Sequence, residues 1–589
     1  MLTILVFAPH SGIWVHAFPE ALVAECLRSK GHRLVYIGCG RALEKFCVCM
    51  SAAGLHENSA AARKRAVCGA CEARKTLLRR EFGFEGYDLS QMLTAEDMRY
   101  ADERASSATP DTVLSLEEDG VPIGRYALYE FLLNRKKTSL HFDDAEWSAL
   151  QPHLRNAFLA LRGGKRILQR ERPDRVIFYN SLYSVNRVVA RLAEASGATT
   201  YFLHAGGNLS NRLQTLMIGR QHTFHYYEQL VARWPEWEHV ACAGEVMRRV
   251  TDHFMVLFGS ESVFSYSSPA RGTRAGARQK LGIAPGRKIL VAAMSSYDEQ
   301  FAGDVTGARP IARSLLFPRQ VDWFRSLVRY VEARQDLFLV IRVHPREFPN
   351  KREGVKSEHA AELESALAGI PPNVRVNWPR DGISVYDLAG EASVFLTGWS
   401  NVGKEMTLLG LPVVTYCPEI LLYPPSLHEA GATLPDYYAA VERALAAGWS
   451  IERARHAYRW YALEHHHGLF DISDAFAYRE NVGLGTRVQR RLGRMLGSIH
   501  EEQRDCAARP RRLNEVDSIA QLIESGGQTR LDIARRGRDD ISVEEETAFL
   551  KRELARIRDA MFGSAPGRVR AGLCARLDEA TSAEAPHHT

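Results

Sequence analysis

An α/β fold in two halves is what this sequence predicts, and two observations predict it. In Met1–Cys39, Asp174–Gly207 and Lys288–Tyr416, short apolar runs alternate with amphipathic segments. Within each stretch an apolar run ends in a polar loop, a helix-period segment follows, and Gly or Pro stops it. Strand, loop, helix and strand in that order build a parallel sheet, whose binding crevice lies at the carboxyl ends of the strands.

The elements follow in order. "LTILVFA" is the first strand, a loop carries His10 and His16, and Phe18 to Ser29 is helix-periodic up to "KGH". "RLVYIGCG" is the next strand. From Gly40 to about Gly164 the alternation breaks into a cysteine-rich and then helical, charged region, read as an insertion. Strand Arg175–Tyr179, a helix and a strand ending at His204 restore the rhythm. The second half opens on "KILVAAMSS", continues through helix "RQVDWFRSLVRYVEAR" and strand "LFLVIRVHP", and reaches "NVRVNW" and "SVYDLAG". After about Asp471 the chain turns helical and charged, with "SVEEETAFLKRELARIRDAMF" the clearest amphipathic helix, and "SAEAPHHT" is expected to fray. The expected domains are 1–250 with its insertion at about 39–165, 251–470, and a helical tail at 471–589.

Composition narrows the classes. The 589 residues are 46% hydrophobic and 25% charged, an ordinary globular balance for about three domains. A net charge of +6 with no basic stripe argues against nucleic acid. No apolar run reaches the about 18 residues of a membrane span, and the N-terminus lacks the charged start of a signal peptide. A cytoplasmic location is the resulting expectation, so the ten cysteines read as thiols or metal ligands.

"VFLTGWSNVGKEMTLLGLPVV" (Val394–Val414) decides most. Gly398 to Lys404 nearly spells a Walker A loop, but Glu405 stands where a P-loop needs the hydroxyl that ligates Mg²⁺. The same loop can instead hold the phosphates of another ligand through Thr397, Ser400, Asn401 and the next helix's N-terminus. Glu405 would then accept hydrogen bonds from sugar hydroxyls. A plain N-capped surface helix is the alternative. "LVIRVHPRE" adds a second strand end, where His344 emerges beside Arg342 and Arg346.

Together, "IRVHP" and "FLTGWSNVGKEMTLLGLPVV" resemble the C-terminal half of capsule-polysaccharide-biosynthesis glycosyltransferases. These GT-B enzymes include Kdo transferases and are similar to CDP-glycerol glycerophosphotransferases. The resemblance implies two Rossmann-like domains facing a cleft. It implies a nucleotide-sugar donor (CMP-, CDP- or UDP-linked) at Arg342, His344, Thr397, Ser400, Asn401, Lys404 and Glu405. "VIFYNSLYSVNRVVARLAEASGATTYFLHAGG" resembles the first-half segment in which Asn-Gly and then Glu-x-Gly end two strands. Asn180 matches, whereas Ser181 and His204 depart. His10 and Asn180 would face a glycan or glycolipid acceptor, and His16 or His204 would serve as base. Catalysis would need no metal, since Arg342 and His344 can neutralise the leaving phosphate. The enzyme could sit peripherally at the inner membrane or in a polysaccharide assembly complex. A glycerophosphotransferase, a nucleotide-sugar epimerase and a non-catalytic scaffold remain the alternatives.

Cysteines form a third constellation. Cys39, Cys47, Cys68 and Cys71, with Cys49 or His56 as substitutes, suggest a structural Zn²⁺ site; an iron–sulfur cluster, a redox dithiol and incidental thiols are the rivals. "EHHHG" (Glu464–Gly468) reads as a helix end, because three adjacent His cannot share one helix face.

Overall fold

The computed structural model describes all residues except 261, 263, 265, 267, 271–276, 312–314, 351–353, 476–499, 509–512, 535–540, 564–571 and 583–589. All but Ser582 of the segment expected to fray lies outside the described residues.

Among the described residues, thirteen strands form two sheets. The first half supplies β1 (Thr3–Phe7), β2 (Arg33–Gly38), β3 (Gly86–Asp88), β4 (Arg175–Tyr179), β5 (Thr199–Ala205) and β6 (Thr215–Arg220). From the second come β7 (Lys288–Ala293), β8 (Leu337–Arg342), β9 (Val374–Asn377), β10 (Val394–Thr397), β11 (Val413–Thr415) and β12 (Glu429–Ala430). A last strand, β13 (Phe470–Asp471), returns to the first sheet. The sheet orders are β13-β6-β5-β4-β1-β2-β3 and β12-β11-β10-β7-β8-β9. Every pairing is parallel except β5 with β6 and β6 with β13.

Both sheets are covered on both faces, which is why their strands read as unbroken apolar runs. In β1, Leu5 and Phe7 pack under helices Ile123–Arg135, Asp144–Glu171 and Ser184–Ala195. Ile4 and Val6 face helix Trp14–Ser29 on the other side. The central strand β7 divides likewise, with Leu290 and Ala292 on one face and Ile289, Val291 and Ala293 on the other. Local chemistry sets the helix starts. Asp143 accepts the Glu146 N–H at 2.8 Å to open the helix Asp144–Glu171, and Ser542 opens Val543–Phe562 in the same way.

Two expectations change. The region read as an insertion contributes β3 to the sheet edge and four helices to its cover, because its apolar stripes complete the first domain's core. Nor is the tail a separate unit. The helix Val516–Ser525 packs into the first domain's core, while Val543–Phe562 packs with Gly244–Gly259 into the second's. The helix Gly244–Gly259 therefore belongs to the second domain, a little before the expected boundary. Among the described residues, no helix is long and apolar enough to cross a membrane.

The domains face each other and are joined at the rim. Beyond the helix Ile123–Arg135, Lys136 donates to the carbonyls of Arg346 and Val355 at 2.6 and 2.7 Å. Glu358 accepts from Lys137, the Thr138 N–H and Ser139 at 2.9–3.0 Å. These bonds hold the loop that follows His344 against the first domain.

Candidate active site

Each sheet has one place where strand order reverses, β1/β4 in the first and β7/β10 in the second. Loops leaving such neighbours diverge and open a crevice. Here the two crevices face one another across a single cleft of about 760 Å³. Trp399 ties the second pair of loops together, donating its N–H to Ser295 Oγ at 2.9 Å and its indole N–H to the Ser296 carbonyl at 3.2 Å.

On the first-domain wall stand His16, Asn180 and His204. The His16 ring stacks on Tyr179 at 4.1 Å, and its Nδ1 is buried without a partner. Burial, with His204 and His10 adding to it, pushes the His16 pKa down to about 3. His204 falls to about 4 through burial and the Arg212 charge, and its Nδ1 contacts the Ala205 carbonyl at 3.0 Å. Both imidazoles are neutral in the free protein. Asn180 has φ 55°, a left-handed conformation that Asn tolerates, and it turns the chain from β4 into the cleft. His10 does not line the cleft; it is buried, its ring 5.5 Å from that of Tyr183.

The second-domain wall carries Arg342, His344, Ser400, Asn401, Lys404 and Glu405. Nδ1 of His344 accepts the Arg346 N–H at 3.2 Å, capping the turn Pro345–Glu347. Burial, helped by the Arg346 charge, lowers His344 to about 4. A neutral ring whose Nδ1 accepts must carry its proton on Nε2, so His344 is a fixed hydrogen-bond donor. Arg342 is aimed by Asn377, to whose Oδ1 it donates at 2.7 Å. Burial lowers it to about 10, which still leaves a cation at neutral pH.

Four donor-site expectations change. Thr397 is buried and does not line the cleft. Lys404 is 4% exposed and paired with Glu464, so its charge is cancelled before any ligand arrives. Glu405 accepts the Tyr386 hydroxyl at 2.9 Å, and burial raises its pKa, so one lone pair is already engaged. The helix Val402–Leu408 has seven residues, about two turns. It is too short to lend the phosphate loop much dipole. The loop's close approach depends on Gly403 instead: a Cβ there would lie 2.5 Å from Tyr423 Oη and His428 Cε1.

Several cleft residues escaped the sequence. Arg212 and Arg309 add positive charge to the lining. Glu464 and His465 reach it from a π-helical turn, Leu463–His467, at the end of the helix Ile451–Ala462. The "EHHHG" motif was the signal for these two. Nothing local marked Arg212 or Arg309. Beside the cleft, a recess of about 530 Å³ shares Arg342 and is walled by Phe348, Trp378 and Pro379. Arg380 lies over the Trp378 ring at 5.8 Å.

The fold is GT-B. Two Rossmann-like domains face a common cleft, and the C-terminal chain crosses back to the first sheet through β13. No family model matches the chain, and no curated protein matches it. Among solved structures, the β-Kdo 2,4-transferase KpsC of Thermosulfurimonas dismutans is similar at 15% identity and TM-score 0.28, over 46% of this chain and 79% of that one. UDP-GlcNAc 2-epimerase from Neisseria meningitidis, bound to UDP-GlcNAc, is similar at 11% identity and TM-score 0.25, over 85% and 100%. The calicheamicin glycosyltransferase CalG4 is similar at 14% identity and TM-score 0.23, over 85% and 99%. Likeness at this level carries no substrate or activity across.

Proposed function

We propose that this protein transfers a glycosyl group from a nucleotide-activated donor to a hydroxyl of a glycan or glycolipid. One observation carries the reading: two strand-order reversals open onto the same cleft, and its second-domain wall pairs the cation Arg342 with the fixed N–H donor His344. An anionic phosphate beside a neutral N–H and a buried guanidinium is well stabilised as a leaving group. The adjoining recess supports the same reading, because Trp378 and Phe348 offer aromatic surface to a planar base while Arg342 stands between base and phosphate.

In the reaction the acceptor oxygen attacks the anomeric carbon and the bond from that carbon to the phosphate oxygen breaks. The nucleotide leaves with the electron pair. The acceptor proton goes to a base on the first-domain wall, where the unpartnered Nδ1 of His16 supports its assignment. A bound donor phosphate would raise that nitrogen's basicity, since a nearby anion favours the imidazolium. His204 is the second candidate. Arg342 and His344 let the step proceed without a divalent cation. The sequence resemblance supports a bacterial surface polysaccharide or glycolipid as acceptor, with the enzyme at the cytoplasmic face of the inner membrane.

A panel of CMP-, CDP- and UDP-linked sugars, with and without EDTA, tests this. Release of free nucleotide that EDTA leaves intact supports transfer. Epimer formation without nucleotide release would establish an epimerase, CMP release from CDP-glycerol a glycerophosphotransferase, and no binding of any donor a scaffold.

A further inference from the structure

The cysteine cluster carries no ligand geometry. Cys39, Cys47, Cys49, Cys68 and Cys71 line one cavity of about 10 Å³, and His56 is exposed outside it. Among the described residues, no group of three or more His, Cys, Asp or Glu is placed to hold a metal ion, so the spacing that suggested a Zn²⁺ site at Cys39, Cys47, Cys68 and Cys71 is not matched in space.

Arg346, which the sequence sets beside His344, carries more. It lines neither the cleft nor the recess. Its guanidinium is buried, and each of the three nitrogens bonds to protein. Nε donates to Asp298 Oδ2 at 2.8 Å, Nη1 to the Tyr266 hydroxyl at 2.9 Å, and Nη2 to the Leu133 carbonyl at 3.2 Å. The Arg346 main chain is held as firmly. Its carbonyl accepts from Lys136 Nζ at 2.6 Å, and its N–H is the group that meets His344 Nδ1 at 3.2 Å.

These partners come from both domains. Leu133 and Lys136 lie at the end of the first-domain helix Ile123–Arg135, and Asp298 is on the first turn of the second-domain helix Tyr297–Val305. Asp298 also accepts the Ser296 hydroxyl at 2.9 Å, which joins the turn after β8 to the β7 loop that Trp399 ties down. Asp298 and Arg346 are only 1% and 6% exposed. Desolvation offsets most of the attraction in such a buried pair, so its main contribution is a fixed geometry.

That geometry ends at the His344 ring. Nδ1 is the ring's one hydrogen-bonded atom among the described residues, and an imidazole turns about its Cβ–Cγ bond at little cost. The direction of the Nε2–H therefore depends on where the Arg346 N–H is held. We infer that Arg346 is a positioning residue for His344, and that the first domain, through Lys136 and Leu133, aims the N–H that meets the donor phosphate. The inference rests on the glycosyl-transfer reading for its chemistry and on the hydrogen bonds for its geometry. It makes the donor site complete only when the two domains are in contact.

Two variants test it. Lys136→Met removes the bond to the Arg346 carbonyl, and Arg346→Lys keeps a cation opposite Asp298 but lacks the fork that reaches Tyr266 and Leu133. Each should lower kcat about 10- to 100-fold with the donor KM little changed, because misdirection is felt in the transition state. In a His344→Ala background neither should lower kcat/KM further, since no ring is left to aim. Losses that multiply in the double variants, or single variants of full activity, would overturn the inference. If no donor is turned over at all, the transfer reading fails separately and ring ¹⁵N–¹H spectra of the free protein decide. The histidine cross-peak that His344→Ala removes should report one Nε2–H tautomer in the wild type and tautomer exchange in both positioning variants. An identical tautomer in all three, or a mixture in the wild type, would overturn the inference. Should neither variant fold, the wild-type spectrum alone decides by the same criterion.

Discussion

Lys404 donates to both carboxylate oxygens of Glu464, at 2.6 and 2.5 Å, and each side chain is only 5% exposed. The lysine that made the loop resemble a phosphate-binding P-loop is thus committed to a carboxylate from another element. Removing one partner leaves a buried charge, which costs about 3–5 kcal/mol. Glu464→Ala should therefore lower the unfolding midpoint strongly, and the double variant Lys404→Met/Glu464→Leu should recover much of the loss. Thermal and urea unfolding of the set checks this. Mg²⁺-dependent ATP hydrolysis that Lys404→Ala abolishes would show the pairing to be irrelevant to ligand choice.

His344→Ala removes the N–H that the proposed reaction directs at the leaving phosphate, without opening a core cavity. Loss of one such donor typically lowers the rate about 10²-fold. The expected result is a fall of that order in kcat/KM for the donor, with only the modest loss of stability, about 0.5–2 kcal/mol, that follows from uncapping the turn Pro345–Glu347. Normal donor kinetics would remove His344 from the site.

Trp378→Ala tests the recess. Stacking of a base on an aromatic ring is worth about 1–3 kcal/mol, so nucleotide affinity by calorimetry should fall about tenfold or more. Free sugar should bind both proteins alike. Equal nucleotide affinity in the two would place the base elsewhere.

Acid should destabilise the protein in a particular window. His10, His204 and His344 are each lowered to about 4 and His16 to about 3 by burial, while their unfolded values stay near 6.5. Between about pH 6.5 and 4 the unfolded chain binds more protons than the folded one, so stability rises with pH across that range. It is lost as pH falls below 6.5. The urea midpoint should drop from pH 7 to pH 5, and His16→Gln should flatten the slope. A midpoint independent of pH over this range contradicts the buried neutral histidines.

Period and punctuation made the strands legible: β1, β4, β7, β8 and β10 all lie where apolar runs end in polar loops. The strand-end residues His344, Ser400 and Asn401 were legible for the same reason, since position at a strand's end fixes position at the sheet's edge. Lys404 was legible as a loop residue but not as half of an ion pair, because Glu464 lies 60 residues away. Thr397 looked available because a strand's last residue can face either way, and packing turned it inward.

The sequence by itself determined the α/β class, most strands of the two halves and the strand–loop–helix segment Val394–Val414 that reaches the cleft, because these depend on local propensity and period. Only the tertiary structure decided that Arg212, Arg309, Glu464 and His465 share the cleft, that the tail stitches both domains, and which five thiols meet. Such convergence depends on contacts between residues far apart in sequence, and local pattern carries no information about them.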